Sequence, residues 1–145
     1  MKLSDFDFPD DLKYTRGHLW LRAKAGSATV GLTSLGASLA KEIVHIDLPD
    51  DGAEYKAGTP IATYETIKSV TEITLPFDCK IKKANEKLLD MPSLINTECY
   101  GDGWIIEIGF EAKAAEKELM DVKEAVRHYQ KILEKEKERY AGIYD

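Results

Sequence analysis

Few side chains in this sequence stand where they could do chemistry, and the foremost is an amine. Lys68 lies at the centre of Ile61-Ala62-Thr63-Tyr64-Glu65-Thr66-Ile67-Lys68-Ser69-Val70-Thr71-Glu72-Ile73-Thr74-Leu75-Pro76, with Glu65 and Glu72 on either side. Two runs rich in β-branched and aromatic residues flank that centre, which predicts a hairpin presenting the lysine at its tip. Taken by itself, an exposed lysine on a turn is an ordinary solubilising charge, and a Schiff-base nucleophile would need a desolvation that a charged tip does not supply. The thiols Cys79 and Cys99, both read at turn positions, are the other nucleophiles, and His18, His45 and His128 complete the set able to bind metal. No pair among them has CxxC or HxxxH spacing, which argues against a metal centre. His18 is expected to support packing beside Trp20, and His45 to face solvent from a strand.

These residues must be positioned by a mainly β scaffold. From Tyr14 to about Phe110 short strand-like runs such as Ala28-Thr29-Val30-Gly31-Leu32 and Ile43-Val44-His45-Ile46-Asp47-Leu48 alternate with Pro, Gly and Asp clusters, at intervals suited to a small sandwich or barrel. One short helix is expected at Ser34–Ala40, with Ser34 as its cap. Beyond Phe110, Leu119, Val122, Val126, Tyr129 and Leu133 recur at helical spacing, predicting a helix from about Glu116 to Arg139 with one apolar stripe. Its Glu134-Lys135-Glu136-Lys137-Glu138-Arg139 run reads as a solvated end. Residues 1–13 are acidic and hold Pro9-Asp10-Asp11, and are expected to form a leader that lies on the surface or is partly disordered. The organisation is therefore a leader at 1–13, one domain at 14–110 and a helical extension at 111–145 packing on it.

The 145 residues suffice for one self-supporting core. With 26 acidic against 20 basic side chains, the net charge of −6 disfavours nucleic acid and anionic membrane as partners. Two cysteines are too few for a secreted disulfide scaffold, and no run approaches the length of a membrane span, so a cytoplasmic protein is expected.

Six segments in order resemble the motifs of the glycine cleavage H protein. They are Tyr14-Thr15-Arg16-Gly17-His18-Leu19-Trp20, Ala28 to Thr33, Ile43 to Pro49, Glu65-Thr66-Ile67-Lys68-Ser69, Pro92-Ser93-Leu94-Ile95-Asn96 and Tyr100-Gly101-Asp102-Gly103-Trp104-Ile105-Ile106-Glu107-Ile108. The resemblance implies a barrel-sandwich hybrid fold, like the lipoyl and biotinyl domains, with a short internal helix and a C-terminal helix. It also implies lipoic acid amide-linked to Lys68, with Glu65 helping to present the lysine to the lipoylating enzyme. Such a protein is a carrier with no turnover of its own: the dithiolane supplies the chemistry, and the arm moves it between enzymes.

Three departures from the family pattern bear on the cargo. Where the family reads His-Glu-Trp, this chain has His18-Leu19-Trp20; the missing carboxylate would otherwise favour a cationic aminomethyl load. With Gly17 and Leu39 also in place of polar side chains, the arm cleft of Gly17, His18, Leu19 and Leu39 reads as apolar. Cys79 and Cys99 introduce thiols that could be redox-active near a dithiolane. Finally, Glu65-Thr66-Ile67-Lys68-Ser69 replaces the usual Glu-Ser-Val-Lys-Ala, keeping size and character.

These departures favour the divergent lipoate-binding proteins of heterodisulfide-reductase-like sulfur oxidation, which carry sulfur intermediates. The alternative is an orthodox H protein shuttling an aminomethyl group; a further one is an unmodified interaction module. Implied partners are a lipoate ligase or a lipoyl synthase and transferase. With them comes either the heterodisulfide-reductase-like complex or glycine decarboxylase, aminomethyltransferase and dihydrolipoyl dehydrogenase.

Overall fold

A computed structural model describes residues 1–144, with side chains described through Lys135. Eleven strands and five helices follow in order: β1 (Lys2–Leu3), β2 (Phe6–Asp7), β3 (Lys13–Tyr14), β4 (Leu19–Lys24), β5 (Ser27–Leu32), α1 (Ser34–Ala40), β6 (His45–Asp47), β7 (Glu54–Tyr55), β8 (Ala62–Glu65), β9 (Val70–Ile73), β10 (Cys79–Ala84), α2 (Lys87–Asp90), α3 (Leu94–Thr97), β11 (Ile106–Phe110), α4 (Ala112–Glu116) and α5 (Val122–Tyr144). A six-stranded antiparallel sheet runs β3-β4-β5-β11-β10-β7, and a three-stranded one runs β6-β8-β9. The mainly β class expected from the alternating runs is observed. Alternation sends Leu19, Leu21, Val30, Leu32, Ile81, Ile106 and Ile108 of the large sheet into one core with Ile46, Ala62, Tyr64 and Ile73 of the small one.

A second cluster lies beneath α5, where Phe8, Leu12, Tyr14, Trp20, Leu35, Met120, Ala125 and Tyr129 are all buried. The N-terminal segment is therefore no surface leader: Phe8 and Leu12 are core residues, and the Tyr14 hydroxyl donates to Pro9 O at 2.7 Å. Acidic composition concealed this, because two apolar anchors spaced four apart were enough to pin the segment. Trp20 packs flat on Gly31, where a Cβ would come within 2.6 Å of the indole, and its Nε1 donates to Cys99 O at 2.9 Å.

The helices differ from expectation at their ends. Thr33, not Ser34, caps α1, its hydroxyl accepting from Gly36 N at 3.0 Å. The stripe residue Leu119 lies outside any helix. Residues 117–121 break the helical run because Met120 pairs as an isolated bridge with Tyr14, and Asp121 then caps α5 by accepting from Glu124 N at 2.8 Å. From Val122 the stripe holds: Tyr129 is fully buried, and Val122, Val126 and Leu133 half-buried. Of the charged run, Glu134 and Lys135 are exposed, and the side chains from Glu136 on lie outside those described. The single-turn helices α2 and α3 were not foreseen, being too short for periodicity to register. No described helix is long and apolar enough to cross a membrane.

Candidate functional site

The β8–β9 hairpin forms as its sequence predicts. Tyr64 pairs with Thr71 and Glu65 with Val70, and a two-residue connection of Ile67-Lys68 is closed by Thr66 N donating to Ser69 O at 2.9 Å. Thr66 holds the tip: its Oγ1 accepts from Lys68 N at 3.3 Å and from Ser69 N at 3.2 Å. A hydroxyl folded back on its own turn in this way restrains the backbone and leaves the neighbouring side chains free. Lys68 is exposed, and Ile67 beside it is 85% exposed. Among the described residues no ion pair engages Lys68. Glu65 is half-buried in the last position of β8, directly across from His45 and Val70.

Two adjoining depressions lead away from the lysine. The first, of about 310 Å³, is bounded by Thr66–Ser69 on one side and Leu39, Ala40, Lys41 and Glu42 on the other. The second, of about 280 Å³, shares Leu39, Ala40 and Ser69 with it, then continues between β9 and Gly17, His18 and Leu19. All four expected cleft residues thus line one groove that runs to the lysine. Leu19, however, is only 2% exposed and belongs to the main core, so its apolar side chain says little about what the groove accepts.

His18 does not lie on Trp20 as expected. At φ 69° it turns its ring onto Tyr129 of α5, centroids 5.0 Å apart, with Gly36 close enough that a Cβ there would meet His18 Cβ at 2.8 Å. Burial, and after it the neighbouring His128, holds His18 below the ordinary histidine range, so it is a neutral wall. His45 does face solvent, 3.0 Å from Asp47. Sequence reasoning missed the exposed carboxylate of Glu72 as a lining residue, together with Lys41 at the lip. Strand alternation marks Glu72 as outward-facing, but only the docking of α1 against β9 makes that position a rim.

The thiols are not placed as reactive groups. Cys79 opens β10 between Phe110 and Tyr55 and is 6% exposed, while Cys99 is half-buried after α3, its carbonyl occupied by Trp20. Both are free, and burial pushes each thiol up to about 11. Redox-active cysteines need the opposite shift, in an electropositive and accessible setting.

The family model for the glycine cleavage H-protein matches residues 12–132. The chain belongs to that family. A glycine cleavage system H protein of Cronobacter sakazakii is 38% identical over 129 residues, covering 88% of this chain and 97% of the relative. A probable glycine cleavage system H protein of Aeropyrum pernix is 45% identical over 101 residues, covering 70% and 71%. Among solved structures, a glycine cleavage system H protein from Mycobacterium marinum superposes with a TM-score of 0.72 at 28% identity, over 81% of this chain and 94% of that one. H proteins are non-catalytic carriers with lipoate attached covalently to a lysine, and this chain is a carrier of that type. The residues present fit the group: an exposed amine on a braced tip, opening onto a groove with apolar Leu39 and Ala40 in its wall.

Proposed function

We propose that this protein is the lipoyl carrier of a glycine cleavage system, with Lys68 as the attachment point and an aminomethyl group as its cargo. The observation that carries the reading is Lys68 itself, exposed at a two-residue tip whose backbone is held by Thr66 while the groove begins beside it. Glu65, at the last sheet position before the turn, would present the lysine to a lipoate ligase or transferase. When bound, the dithiolane supplies the disulfide and dithiol chemistry of the cycle, taking up the one-carbon amine of glycine.

The chain's own residues do the rest. The hairpin fixes the attachment point while the lysine stem stays free, so each partner meets the arm at a raised effective concentration. Leu39 and Ile73 give the groove apolar walls, and Glu72 at its rim offers a carboxylate to a protonated amine, a favourable charge-assisted contact. Glu72 thereby takes over the part of the acid that is missing at position 19. Glycine decarboxylase, aminomethyltransferase and dihydrolipoyl dehydrogenase are the partners this reading requires.

The sulfur-oxidation reading loses the features that favoured it. Leu19 is a core side chain, the two thiols are held protonated, and the relatives described above are named for glycine cleavage. The test is intact mass with peptide mapping after co-expression with a lipoate ligase, then glycine–bicarbonate exchange with glycine decarboxylase. A lipoyl group on Lys68, lost in Lys68→Arg, together with exchange above background supports the reading. Modification elsewhere, or a lipoylated protein inert in exchange, overturns it.

A further inference from the structure

Lys41 closes α1 in a backbone conformation that lysine rarely adopts. Its φ of 67° and ψ of −159° fall in a region kept almost wholly by glycine. The corner is shaped without its side chain: Lys41 N donates to Ala37 O at 3.1 Å and to Ser38 O at 3.3 Å, and its carbonyl accepts from Asn96 Nδ2 at 2.6 Å. Asn96 completes the clamp, its Oδ1 accepting from Ile43 N at 3.0 Å and its Nδ2 also donating to Ala37 O at 3.3 Å. Each of these bonds would survive a glycine at position 41. The lysine therefore costs stability at a corner that does not need it.

Backbone strain that persists where a better-suited residue would fit points to a use for the side chain. Its place in the fold indicates which. Lys41 is exposed, and with Leu39, Ala40 and Glu42 it faces Thr66–Ser69 across the depression beside the hairpin tip. Carboxylates surround that tip: Glu42 in the same depression, Glu72 in the adjoining one and Glu65 at the end of β8. Acylation removes the charge of Lys68, which leaves Lys41 the only lysine or arginine among the described residues lining the two depressions. An enzyme that takes up the arm meets this surface as it docks. Resting on Lys68 as the lipoylation site, we infer that Lys41 is a specificity-determining residue for glycine decarboxylase, its ammonium pairing with a carboxylate at the mouth of that enzyme's active site. The arm in its disulfide form is neutral, so in this encounter the protein's own charges orient the carrier. A single cation set among carboxylates is an asymmetric pattern, and complementary charges fix register more than they add affinity. Glycine at position 41 would relieve the strain and lose that charge.

The experiment measures glycine–bicarbonate exchange by glycine decarboxylase over a range of carrier concentrations. It compares the unsubstituted protein with Lys41→Gly and Lys41→Arg, each with its lipoyl group verified by mass. Glycine suits the φ and ψ of this corner, so Lys41→Gly is expected to fold, which thermal unfolding checks. At low ionic strength Lys41→Gly is expected to raise the KM for carrier several-fold with kcat unchanged, and Lys41→Arg to match the unsubstituted protein. Added salt is expected to close the gap, because an exposed ion pair is screened. A role confined to the helix corner, or to the α1 dipole, would move Tm and leave this pattern absent. Equal KM values for the three proteins at low salt overturn the inference and leave the carrier reading standing. A gap that salt does not diminish, or that Lys41→Arg does not remove, overturns it as well. Lipoylated, unsubstituted protein that is inert in exchange overturns both.

Discussion

The imidazole of His18 lies face to face with the phenol ring of Tyr129, centroids 5.0 Å apart and planes 18° from parallel. His18 walls the groove and Tyr129 belongs to α5, so the C-terminal helix and the groove share this contact. The phenol is tied in from both sides: its hydroxyl donates to Thr15 O and accepts from His18 N at 3.1 Å. His128 packs edge-on to the same ring, and among the described residues neither His18 Nδ1 nor His128 Nε2 has a hydrogen-bond partner.

Acid should therefore loosen this contact first. Both histidines are held below their ordinary range, His18 by burial and then by His128, His128 by burial and then by Arg16. The unfolded chain binds protons at a pH where the folded chain does not, so stability is at its full value above about pH 6.5 and falls as pH drops below it. Urea denaturation at pH 7.5 and pH 5 measures the loss. His18→Asn, which tolerates φ 69°, should flatten that dependence; an unchanged pH profile would remove His18 from the account.

Tyr129→Phe keeps the ring stack and deletes the hydroxyl. Thr15 O and His18 N then lose their partner in a largely buried site, a cost of about 1–3 kcal/mol. Denaturant midpoints check the magnitude. Amide exchange at His18 should accelerate more than exchange across the distant β10–β11 ladder.

Lys41 ends α1 at φ 67° and ψ −159°, a region essentially reserved for glycine, and Asn96 Nδ2 holds its carbonyl at 2.6 Å. Lys41→Gly should raise stability by about 1–2 kcal/mol, because the relieved strain outweighs glycine's larger loss of backbone entropy. Thermal unfolding reads this directly, and a fall in Tm would contradict it. As Lys41 is exposed at the lip beside Lys68, the same variant should still accept lipoate.

The thiols make an alkaline prediction. Cys79 and Cys99 titrate near 11 in the folded chain and in the ordinary thiol range when unfolded. Their contribution is complete below about pH 8.5 and is lost as pH rises toward 11, since the unfolded chain releases protons first. Iodoacetamide at pH 8 should label both slowly until denaturant is added. Rapid labelling of the native protein would restore the redox reading.

Local pattern alone determined a good part of this protein. Alternating residues around Thr66–Ser69 specify a hairpin with Lys68 at its tip, since side chains two apart share a face whatever packs against it. The Val122–Leu133 stripe specifies a helix with a buried side for the same reason. Six ordered motifs also sufficed to indicate the carrier family. Tertiary structure decided what periodicity does not encode, namely which elements meet. Docking α1 and the Gly17–Leu19 turn against β9 joins residues some fifty positions apart into the groove, and makes Glu72 a rim residue. Burial of Leu19 and of both thiols is set by the sheets around them, and pairing of Met120 with Tyr14 overrides helical spacing at Leu119. Phe8 and Leu12 become core residues only because α5 covers them. Each outcome turns on a contact between segments distant in sequence, where apolar burial outweighs the local preference of a few residues.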